Sequence, residues 1–350
     1  MIAAIAQVDA SAAVKSASPA ARPKAAPAKS HATRARPAAP AALQVQITAL
    51  GRGFDGKAGI AIVSLNDGWE ADWNARSLFP QQSCSKLWVA ITALDAVDHG
   101  RLSLDSRVPL SRSDLTLFHQ PLAAKILDGS VQNITLGELM FNAITQSDNT
   151  ANDKLLRSVG GPAAVRRMIA RKGLGHIRFS NGERDLQSKI AGLTWSPSYS
   201  IGSAFWDARS ALPMAKRRAA FERYMRDPYD GAAPHAVANG LAALRSGELL
   251  SPQSTERLLS TMGQTKTGGL RVRAALAPGW EWNHKTGTGQ ELRGQIAGLN
   301  DIGLLTAPDG AVYAVAIMTM PDNNASGAAQ KLMRDVAHAI EAFHQPGSVG

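Results

Sequence analysis

The sequence predicts an α/β fold of the α+β kind. An antiparallel sheet, flanked by helices, is built from both chain ends, and an all-α subdomain is inserted between its strands. Three observations predict it. Strand-like segments with a tight hairpin turn stand near 60–73 and return near 280–319. The stretch from about 106 to 261 carries mostly helical patterns, and an amphipathic helix closes the chain. Strands, then helices, then strands plus a helix is the order of an antiparallel sheet with segregated helices. The junction of two such parts is a common place for a ligand cleft.

The elements follow in order. Residues 1–43 are dominated by Ala, Pro, Ser, Lys and Arg, and they hold six basic residues against Asp9 alone, half of the net charge of +10. Such a stretch buries too little apolar surface to offset its ordering entropy and reads as a disordered tail or linker. The folded domain is then 44–350, with order beginning near Leu43. Ile60–Leu65, the turn Asn66-Asp67-Gly68 and Trp69–Trp73 read as a hairpin, since Asp-Gly supplies the positive φ angles of a tight turn. A helix is expected from Ser83 to Asp98, stopped by Gly100, with Leu87, Ile91, Leu94 and Val97 on its apolar side. Further helices are expected at Leu136–Thr145, Thr150–Ser158, Pro162–Lys172, Ser203–Arg226, Ala236–Ser246 and Pro252–Met262. Strands are expected at Trp280–Thr286, Gln295–Thr306 and Ala311–Thr319, and a last helix at Ala328–Phe343. The α/β part thus falls in about 44–105 and 263–350, and the all-α part in about 106–262.

Composition narrows the function. Outside the tail the positive charge is dispersed and no nucleic-acid-binding motif accompanies it, which argues against a nucleic-acid partner. No apolar run approaches the roughly 18 residues of a membrane span. Met1-Ile2-Ala3-Ala4-Ile5-Ala6 is too short for the core of a secretion signal, although an Ala/Pro-rich tether suits a periplasmic or secreted protein. Cys84 is the only cysteine, so no intrachain disulfide forms, and the eight histidines lie far apart with no H-E-x-x-H, so no metal is expected.

Three short motifs carry chemistry. Ser83-Cys84-Ser85-Lys86 is an S-x-x-K at a helix start, which puts Ser83 and Lys86 on one helical face. A serine hydroxyl needs a neighbouring base to act as nucleophile, and a lysine serves if burial or nearby positive charge lowers its pKa. On its own the motif also reads as a helix N-cap. Ser147-Asp148-Asn149 follows the apolar segment Leu139–Ile144, and Lys285-Thr286-Gly287-Thr288-Gly289 lies in an expected strand. Alone, each reads equally as a turn or an exposed strand. In the order S-x-x-K, S-D-N, K-T-G they are specific.

On these residues the sequence resembles the class A β-lactamases and, more distantly, the penicillin-binding proteins, over about residues 44–345. The resemblance implies a fold with the site between the two parts and Ser83 as the acylated nucleophile. Lys86, Ser147 and Lys285 would move protons, and the backbone N–H groups of Ser83 and Thr288 would form the oxyanion hole. Glu183-Arg184-Asp185-Leu186-Gln187, 36 residues after Ser147, resembles the loop whose glutamate activates the deacylating water. Substrate contacts would come from Asn149, Gln187, Thr286, Gly287 and Thr288, with Phe118 as an apolar wall or a core residue. Arg271 or Arg293 would meet the substrate carboxylate, Arg271 by its place 14 residues before Lys285. The resemblance further implies a monomer, no cofactor and a small β-lactam as partner.

Departures stand beside it. Gln187 replaces the family's asparagine, and Asn181 stands where an arginine ties the loop shut. The chain is longer than the pattern over about 188–231, a stretch that includes Trp206 and the cationic run Lys216-Arg217-Arg218. These put the rigidity of the Glu183 loop, and the release of the acyl group, in question. They keep open a D-Ala-D-Ala carboxypeptidase or esterase on the same fold, and a sensor that acylates and stops.

Overall fold

The computed structural model describes residues 37–323 and 325–344. Most of the expected tail, residues 1–36, lies outside the described residues. Order begins slightly earlier than expected, with a helix Ala41–Arg52 that the sequence did not suggest. Its Leu43 and Ile47, one turn apart, are buried against the sheet.

The sheet has five strands, all antiparallel, in the order Glu70–Trp73, Gly56–Ser64, Val312–Pro321, Leu299–Thr306, Glu281–Thr288. The first two form the expected hairpin. Strands from both chain ends meet where Gly56–Ser64 pairs with Val312–Pro321 along its whole length. Both faces of the sheet are covered. Along Gly56–Ser64, Ile60 and Ile62 face a core shared with Ala41–Arg52 and the last helix, Ser326–Phe343. Ala61 and Val63 face a second core made largely of helices. Burial on both faces explains why every residue of Val312–Pro321 is buried and the strand reads as an apolar run without alternation.

The nucleophile segment is a 3-10 turn, Gln82–Ser85, that runs into the α-helix Lys86–Asp98. The expected single apolar side is wrong here: every residue from Lys86 to Asp95 is buried. Helices Leu136–Thr145, Asn149–Ser158, Gly161–Arg171 and Pro252–Gly263 surround it, so it is a central helix buried on all sides. The helix Pro234–Arg245 packs on the sheet.

Two further expectations need correction. Ser203–Arg226 is two helices, Ala204–Ala211 and Met214–Arg226, because Pro213 lacks an N–H and disfavours helical backbone at Leu212. Gln295–Thr306 is interrupted after Ile296, where Gly298 takes a φ of +105°. Among the described residues no helix is long and apolar enough to cross a membrane.

Candidate active site

The turn before Lys86 places Ser83 under constraint. Gln82 has a φ of +53°, a left-handed conformation that costs a non-glycine residue about 1 kcal/mol or more. It is held there from outside. Its N–H donates to the buried Asp230 carboxylate (2.7 Å), and its Nε2 donates to Tyr224 Oη (2.7 Å) and Ala297 O (2.8 Å). Tyr224 Oη donates to the other Asp230 oxygen (2.7 Å). Burial pushes the Asp230 carboxyl up to about 6.

Lys86 is buried, and its Nζ meets three acceptors: Ser83 Oγ at 2.6 Å, Asn149 Oδ1 at 2.8 Å and Glu183 Oε1 at 2.6 Å. The i, i+3 spacing of Ser83 and Lys86 thus delivers the contact it predicted. Cys84 between them is buried, and burial pushes its thiol up to about 12, so it stays protonated.

The S-D-N segment divides its work by residue. Ser147 sits at a φ of +59°. The Asp148 side chain caps the helix Asn149–Ser158 by accepting from Ala151 N (2.8 Å) and also accepts from Leu122 N (2.6 Å). Asn149, first in that helix, turns its Oδ1 to Lys86 and its Nδ2 to Leu117 O (2.9 Å).

The K-T-G strand passes directly behind the nucleophile turn. A Cβ on Gly287 would stand 2.4 Å from Gln81 O, so only glycine permits the approach. Lys285 is fully buried, and its Nζ donates to Ser147 Oγ (2.9 Å) and Thr286 O (2.9 Å). Burial, reinforced by the nearby Lys86 charge, lowers Lys285 to about 7.

Glu183, expected on a loop, is the first residue of a helix, Glu183–Ile190. Gly182 before it has no side chain to cap that helix. The cap comes from Asp153, one turn beyond Asn149, whose carboxylate accepts from Glu183 N (2.9 Å) and Arg184 N (3.4 Å). Burial and the Glu183 charge raise Asp153 to about 6. One turn on, Gln187 donates from Nε2 to Gln82 Oε1 (3.1 Å) and Glu183 Oε2 (3.3 Å), and its Oε1 accepts from Gln290 Nε2 (3.1 Å). With Asn181 in place of an arginine, the loop is tied differently. Arg166 Nη1 reaches Phe179 O and Ser180 O, and Arg178 N donates to Gly231 O (2.8 Å).

Ser83, Ser147, Asn149, Gln187, Thr286, Thr288 and Arg271 line one cleft of about 470 Å³, within the range of small-molecule sites. Lys86, Glu183, Lys285 and Gly287 lie buried beside it. Arg271 is also buried. Its guanidinium donates to Thr288 Oγ1 (2.7 Å) and to the carbonyls of Gly287 and Asn300. Arg293 is exposed, at the turn between Glu291–Leu292 and Gln295–Ile296, and does not line the cleft. Phe118 lines it with 36% of its surface exposed, at a φ of +63°. It is a wall of the cleft, not a core residue. In the cationic run 216–218, Lys216 and Arg218 are exposed, Arg218 pairing with Glu222 (3.6 Å), while Arg217 is half-buried.

Sequence reasoning missed Asp153, Tyr224, Asp230 and Gln290, and it left Trp206 without a role. Asp153 had a usable signal, its i+4 spacing from Asn149. So did Trp206, since Trp195, Tyr199, Phe205 and Trp206 crowd into a short stretch of an aromatic-poor chain. Asp230 and Gln290 act only through tertiary contacts.

Residues 42–343 match the model of the beta-lactamase enzyme family. The chain is 27% identical over 284 residues to beta-lactamase Toho-1 of Escherichia coli, spanning 81% of this chain and 83% of that one. It is 25% identical over 303 residues to the extended-spectrum beta-lactamase PER-1 of Pseudomonas aeruginosa, spanning 86% and 87%. The crystal structure of the TLA-1 extended-spectrum beta-lactamase superposes with a TM-score of 0.71 at 25% identity, over 85% of this chain and 96% of that one. An ancestral class A beta-lactamase superposes at 0.67 with 28% identity, over 86% and 100%. With an S-x-x-K serine hydrogen-bonded to its lysine, and S-D-N and K-T-G side chains lining the same cleft, the chain belongs to the beta-lactamase enzyme family and is a class A serine β-lactamase.

Proposed function

We propose that the enzyme hydrolyses the lactam amide of penicillins and cephalosporins through an acyl group on Ser83, and that Glu183 drives both formation and release of that group. The observation that carries this reading is the chain of contacts Ser83 Oγ, Lys86 Nζ, Glu183 Oε1, each 2.6 Å. Along it, Lys86 hands a proton to Glu183 and takes the proton of Ser83 as the hydroxyl attacks. The N–H groups of Ser83 and Thr288 receive the oxyanion. Ser147 gives its proton to the leaving nitrogen and is resupplied by Lys285, whose value of about 7 suits a group that both gives and takes protons. Glu183 gives its proton up to solvent, and Lys285 regains one from it. Glu183 Oε2 and Gln187 then hold a water, and Glu183 removes its proton. Lys86 returns a proton to Ser83 Oγ as it leaves, and Glu183 restores that of Lys86.

Binding follows from the remaining residues. The substrate carboxylate lies among Thr286, Thr288, Lys285 and Arg271, with Gly287 letting the strand come close. Asn149 takes the acylamino N–H on the free lone pair of Oδ1. The cleft is read as the junction of a sheet part, about 44–105 and 263–350, with a helical part, about 106–262. The enzyme acts as a monomer, without cofactor or nucleic acid, in the periplasm or outside the cell. The Ala/Pro-rich basic sequence ahead of the fold supports an exported, tethered enzyme.

The test is hydrolysis of a chromogenic cephalosporin with intact-protein mass spectrometry of the same mixture. Turnover with a transient adduct is expected for the wild type, no adduct for Ser83→Ala, and a trapped adduct for Glu183→Ala, with release slowed by roughly 10²–10⁴-fold. Normal turnover by Glu183→Ala would overturn the role given to that residue. A stable wild-type adduct without turnover would favour a penicillin-binding peptidase or sensor.

A further inference from the structure

The extended stretch between Gln187 and Gly231, set out as a departure from the family pattern, enters the cleft. Helix Ala204–Ala211 carries two adjacent aromatics. Phe205 is buried and packs edge-on against Phe118, with ring centroids 4.8 Å apart, and against Tyr199 at 5.8 Å. Trp206 beside it is 49% exposed, leans on Phe118 at 5.5 Å, and lines the same cleft as Ser83.

Arg209 also holds the indole in place. Arg209, one turn further on, lies over the Trp206 ring at 5.6 Å and donates from Nη2 to the carbonyl of Glu291 (2.7 Å), just past the K-T-G strand. Arg209 is itself buried. Trp206 is therefore a pre-positioned apolar surface, held by a cation and a second ring, with half of its area exposed. Phe118 adds a second such surface, on a backbone conformation that a bulky residue adopts only under constraint.

The position tells which part of a substrate meets these rings. Phe118 follows Leu117, whose carbonyl holds the Asn149 amide, and Glu291 follows Gln290, which holds Gln187. Phe118, with Trp206 leaning on it, therefore borders the side of the cleft where Asn149 stands. The hydroxyls and Arg271 that take the carboxylate belong to the K-T-G strand and the loop before it. On the hydrolytic reading above, on which this inference rests, Asn149 receives the acylamino group of the substrate.

We propose that Trp206, with Phe118, forms a continuous aromatic wall that selects β-lactams whose acylamino side chain ends in an aromatic ring. Trp206 is thereby a specificity-determining residue supplied by the inserted segment. A ring that packs edge-on or offset against these two touching aromatics gains stacking beyond its buried area, worth roughly tenfold in kcat/KM.

The experiment compares two penicillins of one nucleus, one with a phenylacetyl side chain and one with an acetyl side chain. The wild type is expected to prefer the phenylacetyl compound by roughly tenfold or more in kcat/KM. Trp206→Ala is expected to lose most of that preference by lowering kcat/KM for the phenylacetyl compound, while the acetyl compound changes less than about threefold. Should the alanine variant melt at assay temperature, Trp206→Leu keeps apolar bulk without the ring and is expected to show the same selective loss. Equal wild-type kcat/KM for the two compounds, or an equal fall for both in the variants, would sink the aromatic wall while leaving hydrolysis standing. Turnover of neither compound by the wild type would bring down the hydrolytic reading and the aromatic wall together.

Discussion

Around Ser83 the reacting groups come from three short stretches of chain, and each stretch positions its own members. Ser83 and Lys86 share one turn, Ser147 and Asn149 share one helix start, and Lys285 to Thr288 share one strand. Around Glu183 the supports come from far away. Asp153 caps its helix, Gln82 and Gln290 hold Gln187, and Asp230 with Tyr224 hold Gln82. This second region also carries two buried carboxyls, Asp153 and Asp230, both raised to about 6. The contrast teaches that the reacting groups are placed mainly by short motifs, whereas the helix carrying Glu183 rests on a buried polar network that is costly to leave half satisfied. The two regions meet at the Gln82 turn, which Asp230 and Tyr224 hold from outside.

The sharpest way to break this comparison is to remove one group from the first region. Lys285→Ala is expected to slow acylation by roughly 10²–10⁴-fold through loss of the proton supply to Ser147, while an adduct formed by long incubation is released within a few-fold of the wild-type rate. Rapid-quench mass spectrometry separates the two rates, and a matching fall in release would show that the regions are not separable. The next largest effect tests the second region. Asp230→Ala leaves the Gln82 N–H and the Tyr224 hydroxyl without their acceptor, at a cost of roughly 1–3 kcal/mol for each buried group. Denaturant unfolding is expected to show this loss, and Asp230→Asn to restore most of it.

The smallest effect is a pH dependence. The folded protein raises Asp153 from 3.8 to about 6, chiefly by burial and then by the charge of Glu183. It therefore binds this proton more tightly than the unfolded chain does. That contribution to stability is complete below pH 3.8 and is lost as the pH rises through about 6. Asp153→Asn keeps an acceptor for the helix cap and removes the charge. A rise of a few degrees in Tm at pH 7.5 that shrinks towards pH 4 is expected from thermal melts. A rise of equal size at both pH values would assign the effect to packing instead.

The same contrast governs what the sequence alone disclosed. The hairpin, the sheet from both chain ends and the helix Leu136–Thr145 were legible because their signals are local: a turn dipeptide and apolar runs. Ser83, Lys86, Ser147 and Lys285 were legible because their chemistry is written in short motifs. The break at Pro213 was overlooked although proline marks it. The burial of Lys86–Asp95 on every side was not legible, since it depends on which helices surround that segment. Asp230 gave no sign, because its partners Gln82 and Tyr224 become neighbours only in the folded chain. Glu183 was recognised by likeness, but its helical setting depends on a cap that Asp153 lends from another helix.

The antiparallel pairing of Gly56–Ser64 with Val312–Pro321 has a consequence for how the protein is made. On a ribosome the first of these strands emerges some 250 residues before its partner. Throughout that time its apolar faces have no neighbour in the sheet on that side, and the turn bearing Ser83 has no K-T-G strand to lean on. The fold can close only after Pro321 has been made, as expected for a topology dominated by distant contacts. A nascent chain of this design stays open throughout that interval, in the state that a narrow secretion channel or a holding chaperone can still grip.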